Sequence, residues 1–359
     1  MIDMVALPSL HRLLGRGAVT SPRPRFSSQE ILADGDFLDD FSPTDRVLTE
    51  VREIRSKNVL TKNDSPDLWM NQSINPYQGC EHGCVYCFAR PTHEYHDLSP
   101  GLDFETKIFF KPDAARLLRQ AFEKERYQVS PIALGSNTDI YQPLERTHAI
   151  TRSLLEVFVE YKHPVALITK SASILRDADL LATLASQGLV SVPISITTLD
   201  SHLARHMEPR ASTPERRLET LERLSALGIP CTVLTSPMIP GLNDPELENI
   251  LESARIRGAK NANYVLLRLP HQNKSMFEAW LRQHYPDRAD KVLSLIRDTR
   301  GGKLYLSEFG TRMRGTGPIS QLLEDRFELA CRRLGYDENA PSLRTDLFRK
   351  KSPAQLPLL

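Results

Sequence analysis

Cysteine is scarce in this 359-residue chain: there are five. Three of them, Cys80, Cys84 and Cys87, are crowded into one short stretch, while Cys231 and Cys331 stand alone. The N-terminus lacks the apolar core of a secretory signal, so a disulfide framework is not expected. Clustered thiols in a reducing compartment read instead as metal ligands, and isolated ones as small buried apolar residues. Long hydrophobic runs are also missing. None approaches the roughly 20 residues that a membrane-spanning helix needs, so a soluble, cytoplasmic protein without membrane contact is expected. Net charge is nearly absent, since 46 Lys and Arg against 45 Asp and Glu leave +1. That excludes a global attraction to nucleic acid.

Local charge is less even. Positions 4 to 29 carry Arg12, Arg16, Arg23 and Arg25 and no acid. With Asp3, Pro22 and Pro24 nearby, this reads as a flexible basic lead-in rather than a transit peptide. Near the other end lie Arg312, Arg314, Arg332, Arg333, Arg349, Lys350 and Lys351. They could contact a phosphate backbone. Glu324, Asp325 and Glu328 sit among them, and a solvated helix face is the plainer reading.

Residues 1–70 are rich in Ser, Pro and Asp and read as an irregular extension wrapping a larger body. From 71 onward, short apolar runs alternate with longer amphipathic segments. The runs Ile132–Gly135, Val165–Thr169, Val190–Thr197, Cys231–Pro237 and Tyr264–Leu269 have the composition of strands buried on both faces. Between them, Ile150, Leu154, Leu155 and Phe158 fall on one helical face, as do Leu218, Leu221 and Leu224. Thr213-Pro214 and Gly228 punctuate one helix, and Asp244-Pro245 and Gly258 the next. Repeated strand–helix–strand order demands a parallel sheet with right-handed crossovers.

With a first strand near Asn71–Tyr77, about six units fit before residue 270. The expected fold is α/β, a partial (β/α)6 TIM-like barrel over 71–300 with N- and C-terminal extensions. Helices are expected at Lys274–His284, Pro286–Thr299 and about Ile319–Leu334, and a strand at Lys303–Ser307. A C-terminal extension spans 301–345, and the tail from Pro341, with 346–359 at its end, is expected to be disordered.

The chemistry resides in Asn75-Pro76-Tyr77-Gln78-Gly79-Cys80-Glu81-His82-Gly83-Cys84-Val85-Tyr86-Cys87-Phe88. Thiolate is the soft, anionic ligand that an iron–sulfur cube prefers. Three thiolates at C-x3-C-x2-C spacing can each reach a different iron, with Gly79 and Gly83 letting the backbone turn. No fourth cysteine is near, which leaves one iron open to a substrate or cofactor. A structural zinc with His82, His93 or His96 as fourth ligand is the alternative.

Directly after a first strand, this triad resembles the signature of the radical S-adenosylmethionine (SAM) superfamily, C-x3-C-x-aromatic-C, with Tyr86 in the aromatic slot against the adenine. The resemblance covers about residues 71–270. It implies a [4Fe–4S] cluster on Cys80, Cys84 and Cys87, whose open iron chelates SAM. One electron then breaks the sulfonium–C5′ bond, and the 5′-deoxyadenosyl radical takes a hydrogen atom from substrate. A flavodoxin or ferredoxin is the implied electron donor. No catalytic acid, base or hydrogen donor can be named.

Within the superfamily the sequence is similar to spore photoproduct lyase. Thr138-Asp139-Ile140 follows the second strand and Thr169-Lys170 ends the third. Ile194-Ser195-Ile196 lies on the fourth, followed by Glu208-Pro209-Arg210, Arg217-Leu218, Gly228 and Pro237-Met238-Ile239. By that resemblance Thr138, Lys170 and Ser195 hold the cofactor's amino-acid end, while Asp139 pairs with the amino group or an arginine. The lyase has a hydrogen-donating cysteine where this chain has Asn137, so reversal of the same thymine lesion is not expected; Cys231 on the fifth strand reads as a buried core cysteine before it reads as a substitute donor.

Gln355-Leu356-Pro357-Leu358-Leu359 resembles the peptide with which bacterial repair proteins dock on the sliding clamp. Three functions therefore stand open: a radical enzyme of nucleic acid, a radical enzyme of protein or metabolite, and a non-catalytic iron–sulfur adaptor in DNA repair.

Overall fold

A computed structural model describes residues 15–27, 47–68, 70–337 and 342–351. Its centre is a sheet of seven strands, β2 (Thr61–Lys62), β3 (Gln72–Ile74), β6 (Ile132–Leu134), β7 (Val165–Leu167), β8 (Val190–Ser195), β9 (Cys231–Met238) and β10 (Asn261–Leu266). From β3 to β10 all neighbours are parallel, and β2 adds an antiparallel edge beside β3. The six parallel strands are those expected, and the arc stays open, with β2 and β10 as its edges. Strands β6, β7 and β8 are buried at every residue, as a sheet covered on both faces requires.

The crossovers are helices: α1 (Ala114–Glu123), α2 (Ile150–Tyr161), α3 (Ala178–Ala185), α4 (Ser201–Met207), α5 (Pro214–Ala226) and α6 (Leu247–Ile256). Thr213 caps α5 by accepting a hydrogen bond from the Arg216 N–H, and Gly228 follows at φ +75°. At Asp244-Pro245 the chain first makes a 3-10 turn, and α6 starts after it. Beyond β10 come α7 (Asn273–His284), α8 (Pro286–Asp298), the one-turn α9 (Thr311–Arg314) and α10 (Pro318–Leu334).

Three expectations change. The strand expected at Lys303–Ser307 is irregular chain; no strand offers it a ladder, and an apolar pattern without a partner cannot make one. The chain from 342 to 351 is seated rather than free: Phe348 packs against Phe122, Tyr127 and His163, and the Arg349 N–H bonds the Tyr161 carbonyl. The lead-in is likewise tied down over residues 15–27, by contacts described below.

A second, small sheet of β1 (Glu50–Glu53), β5 (Lys107–Phe110) and β4 (Tyr77–Gln78) was not foreseen. All four residues of β1 are exposed, so no burial pattern marks it in the sequence.

Two apolar clusters matter for the site. The larger lies between the sheet and its helices. The smaller gathers Cys84, Val85 and Tyr86 with Leu203 and Met207 of α4, Trp280 of α7 and Val292 of α8. Met207 has no exposed surface, and its carbonyl accepts from the Val85 N–H at 3.0 Å. Met207→Ala should therefore lower unfolding free energy by about 2–5 kcal/mol and speed iron loss. Denaturation with guanidinium, followed alongside iron content, measures both, and a midpoint equal to wild type would show that α4 does not support the cysteine segment.

Candidate iron–sulfur and cofactor site

The cysteine segment leaves β4 and turns at Gly79 (φ +82°) and Gly83 (φ +68°), the left-handed region where glycine costs least. Cys80 and Cys84 are buried and Cys87 is half-buried, and all three are free thiols. The surroundings fix the backbone at many points. The Cys80 N–H bonds the Phe104 carbonyl at 2.9 Å, and Asn273 Nδ2 donates to the Cys87 carbonyl at 2.8 Å. Gln142 Oε1 accepts from the Glu81 N–H at 2.9 Å.

Arg90 does most of this work. It is fully buried, and its five N–H groups are all used. Nε donates to the Cys84 carbonyl at 2.9 Å, and Nη1 donates to the carbonyls of Pro100 and Gly101 at 3.1 and 2.9 Å. Nη2 donates to the Gly83 carbonyl at 3.1 Å and to Glu105 Oε1 at 2.5 Å. The same Glu105 carboxylate accepts from the Gly17 and Ala18 N–H groups at 2.9 and 2.8 Å. Through it the lead-in is fastened to the cysteine segment, so closely that a Cβ on Gly17 would lie 1.9 Å from the Gly83 carbonyl oxygen. Farther along, Arg25 pairs with Glu94 at 2.7 Å.

The donor set fits an iron–sulfur cube. Burial raises the pKa of all three thiols; neighbouring Asp139 and Glu208 add to the rise at Cys80 and Cys84 respectively. Three thiolates here need a cationic centre to stabilise them. Among the described residues no three His, Cys, Asp or Glu are gathered closely enough to hold a single ion. The histidines considered as a fourth zinc ligand are otherwise engaged. His82 lies 3.4 Å from Asp139, an ion-pair distance without hydrogen-bond geometry. His93 Nε2 contacts the Lys107 carbonyl and His96 Nε2 contacts Gln78 Oε1.

The residues expected around the cofactor lie at the carboxyl ends of the parallel strands, beside the cysteines. Thr138 and Asp139 follow β6, Lys170 follows β7 and Ser195 ends β8. Their roles divide. The Thr138 hydroxyl donates to the Tyr77 carbonyl at 2.8 Å, and the Ser195 hydroxyl to the Ser236 carbonyl at 3.2 Å. Asp139 accepts from the N–H groups of Tyr141 and Lys170 and from the Thr169 hydroxyl at 2.7–2.9 Å. Burial pushes its pKa up, but His82 and these donors outweigh burial and hold it below the usual carboxylate value. Asp139 thus ties β6 to β7, and among the described residues no arginine pairs with it.

Lys170 is different. Among the described residues its ammonium has no ion pair, and it lies 5.9 Å from the centroid of the Tyr86 ring. The Tyr86 hydroxyl donates to Glu208, which also accepts from Thr197 at 2.8 Å and pairs with buried Arg217. Burial raises the Glu208 pKa, opposed by Arg217. Sequence reasoning placed Glu208 and Arg217 only as markers of resemblance, and it missed Arg90 and Glu105, which no spacing distinguishes from surface charges.

A cleft of about 860 Å³ lined by Asn58, Lys62, Gln72, Lys124 and Tyr127 opens at the start of β3, the far end of the sheet. None of the thiols reaches it.

Residues 74–254 match the profile of the Radical SAM superfamily. The chain belongs to that superfamily. An uncharacterised protein of Mycobacterium tuberculosis is 33% identical over 248 residues, 68% of this chain and 73% of that one. An uncharacterised protein of Methanocaldococcus jannaschii is 25% identical over 259 residues, 72% of this chain and 91% of that one. Among solved structures, a spore photoproduct lyase variant with bound SAM and dinucleoside spore photoproduct superposes at TM-score 0.57 and 16% identity, over 79% of each chain. That likeness shows the fold. Radical SAM proteins use a [4Fe–4S] cluster and SAM, and the three free thiols described here have the donor chemistry that such a cluster takes.

Arg90→Met would leave Glu105 charged, buried and without its guanidinium. The expected loss is about 3–5 kcal/mol of unfolding free energy, measured by urea titration of the anaerobic protein. A loss below about 1 kcal/mol would mean that the loop holds its shape without this residue.

Proposed function

We propose that this radical SAM protein is an enzyme acting on nucleic acid. The observation that carries the reading is what converges at one end of the sheet. There the three thiols, the unpaired Lys170 ammonium and a solvent-exposed ring, Phe88, lie side by side, with the Arg268 guanidinium 4.9 Å from that ring's centroid. Aromatic faces next to guanidinium groups suit stacked bases and phosphates. The likeness of fold to spore photoproduct lyase, solved with a dinucleoside photoproduct, supports the same substrate class.

When bound, the cluster and SAM supply one-electron cleavage to a 5′-deoxyadenosyl radical. The chain's own groups bind and orient. Lys170 offers its ammonium to the cofactor's carboxylate. Thr138 and Ser195 have donated their hydrogens to backbone carbonyls, so their oxygens are left as acceptors and suit the cofactor's amino group. Asp139 positions Lys170 through the backbone N–H. Tyr86, held by Glu208, presents its ring to the adenine, and the apolar cluster beneath it excludes water. The electron donor is a flavodoxin or ferredoxin. A cytoplasmic location is part of the same proposal; among the described residues no helix is long and apolar enough to cross a membrane.

Cys84→Ala should abolish cluster loading and 5′-deoxyadenosine release after anaerobic reconstitution with dithionite and SAM, because three thiolates are already the minimum. Cys231→Ala should retain both. A [4Fe–4S] spectrum that survives in the Cys84 variant would remove the site assignment. An iron–sulfur adaptor would load the cluster and release no 5′-deoxyadenosine.

Gln355–Leu359, outside the described residues, is proposed as the docking peptide for a bacterial sliding clamp. Truncation after Lys351 should abolish capture of the chain by immobilised clamp. Equal capture of both forms would end the idea.

A further inference from the structure

The basic residues that the sequence assigns to a solvated helix face include two, Arg312 and Arg314, that the fold puts elsewhere. They lie on α9, which packs on the edge strand β10, and they join Arg268 and Arg300 there. Arg312 pairs with Asp67, in the segment between β2 and β3, and donates to Ser65 Oγ at 2.6 Å. Since β2 and β10 are the two edges of the open sheet, this contact bridges its seam. The Asp67 carboxyl is pushed up by burial, yet the Gly310 N–H, Arg312 and Arg268 together hold its pKa below the ordinary value.

One carboxylate therefore serves several guanidinium groups. Among the described residues, Arg268, Arg300 and Arg314 form no ion pair. Three buried N–H donors on them have no partner: Arg268 Nε, Arg300 Nε and Arg314 Nη1. Arg268 Nη1 reaches only the thioether of Met313, at 3.6 Å. Arg300 is fully buried with Nη1 and Nη2 on the carbonyls of Thr311 and Leu267, so it adds fixed positive charge beneath the surface. Arg314 lies 4.1 Å over Tyr264, whose phenol also feels Glu324 and Glu328 of α10. An anion is therefore disfavoured at that end and favoured at Arg268.

Buried donors that stay unpaired, beside charge that stays uncompensated, call for an external acceptor. Arg268 is placed for one that arrives with the substrate, because its guanidinium covers Phe88, the residue after Cys87. Phe88 is 40% exposed.

We propose that Arg268, backed by Arg300 and Arg312, binds a phosphodiester of single-stranded nucleic acid, with an adjacent base on Phe88, and so draws the strand across the seam between β10 and β2 to the cluster. This deepens the nucleic-acid reading and rests on it. A planar guanidinium with free N–H groups matches a phosphate in bidentate fashion. An exposed ring beside it accepts a base of any sequence.

The test is fluorescence anisotropy of a fluorescein-labelled single-stranded DNA oligonucleotide with the anaerobically reconstituted full chain, across a series of salt concentrations. Arg268→Gln should bind about tenfold more weakly or worse, and the slope of log affinity against log salt should fall by about 0.7. Arg268→Lys, which keeps the charge and loses the fork, should keep the slope and lose part of the affinity. Arg332→Gln, an exposed residue of α10, should change neither.

Iron content and thermal midpoint establish that each variant is folded, and if Arg268→Gln is not, the lysine variant decides. Wild-type affinity in the variant that decides, and wild-type slope in Arg268→Gln where it folds, would overturn the phosphate site while leaving the nucleic-acid reading intact. Absence of oligonucleotide binding by the wild-type chain would overturn both.

Discussion

Three thiolates crowded into a buried turn repel one another, and no sulfur can be placed unless the backbone carrying it is held from outside. In this chain one guanidinium makes more of the holding contacts than any other side chain. Arg90 spends its five N–H groups on four carbonyl oxygens and one carboxylate, and two of those carbonyls, Gly83 and Cys84, belong to the cysteine turn. A buried arginine costs least when its donors all find acceptors. That requirement works in both directions: the turn fixes the arginine as firmly as the arginine fixes the turn.

Glu105 extends this dependence to the lead-in. Its carboxylate neutralises Arg90 and accepts two N–H groups from Gly17 and Ala18, so one acid joins the arginine behind the cysteine turn to a segment almost ninety residues earlier in the chain. The close approach of Gly17 to Gly83 leaves no room for a side chain. On the other flank, Glu208 collects Tyr86, Thr197 and Arg217, which binds the last turn of the cysteine segment to the end of β8 and the start of α5. Each flank is a buried carboxylate and a buried arginine.

The sheet and its crossovers were legible in the sequence because parallel strands buried on both faces are written as uninterrupted apolar runs, as at Val190–Ser195. The thiols were legible because their spacing has few other uses. What was not legible depends on partners distant in the chain. Arg90 and Glu105 look like any surface pair until Gly17 and Gly101 arrive beside them. β1 offers four exposed residues and no pattern. Lys303–Ser307 carries a strand's composition without a neighbour to pair with. The seat of Phe348 rests on rings from Phe122, Tyr127 and His163, more than 180 positions away. Asp139, read from the sequence as a partner of the cofactor's amino group or of an arginine, also links two strands by accepting from the Lys170 N–H and the Thr169 hydroxyl, a role that no spacing reveals.

The same placement bears on how a reaction at this mouth must end. All five cysteines are described, and three of them lie in the cysteine turn. Cys331 lies on α10, packed against the main core. Cys231 opens β9, pairs with the first residues of β8's register at Val192 and gives its S–H to the Ile229 carbonyl. The strand that carries it runs from there to Met238, about 20 Å at the usual rise per residue, before reaching the end where the cysteine turn lies. Cys231 is therefore a core residue, and it cannot return hydrogen to a substrate at the mouth. Asn137, exposed and held through its N–H by Asn75, offers an amide at the position where the lyase offers a thiol. With Cys80, Cys84 and Cys87 set aside, neither remaining cysteine is placed at this end of the sheet, so the thiol that the resemblance to the lyase implies has no counterpart here.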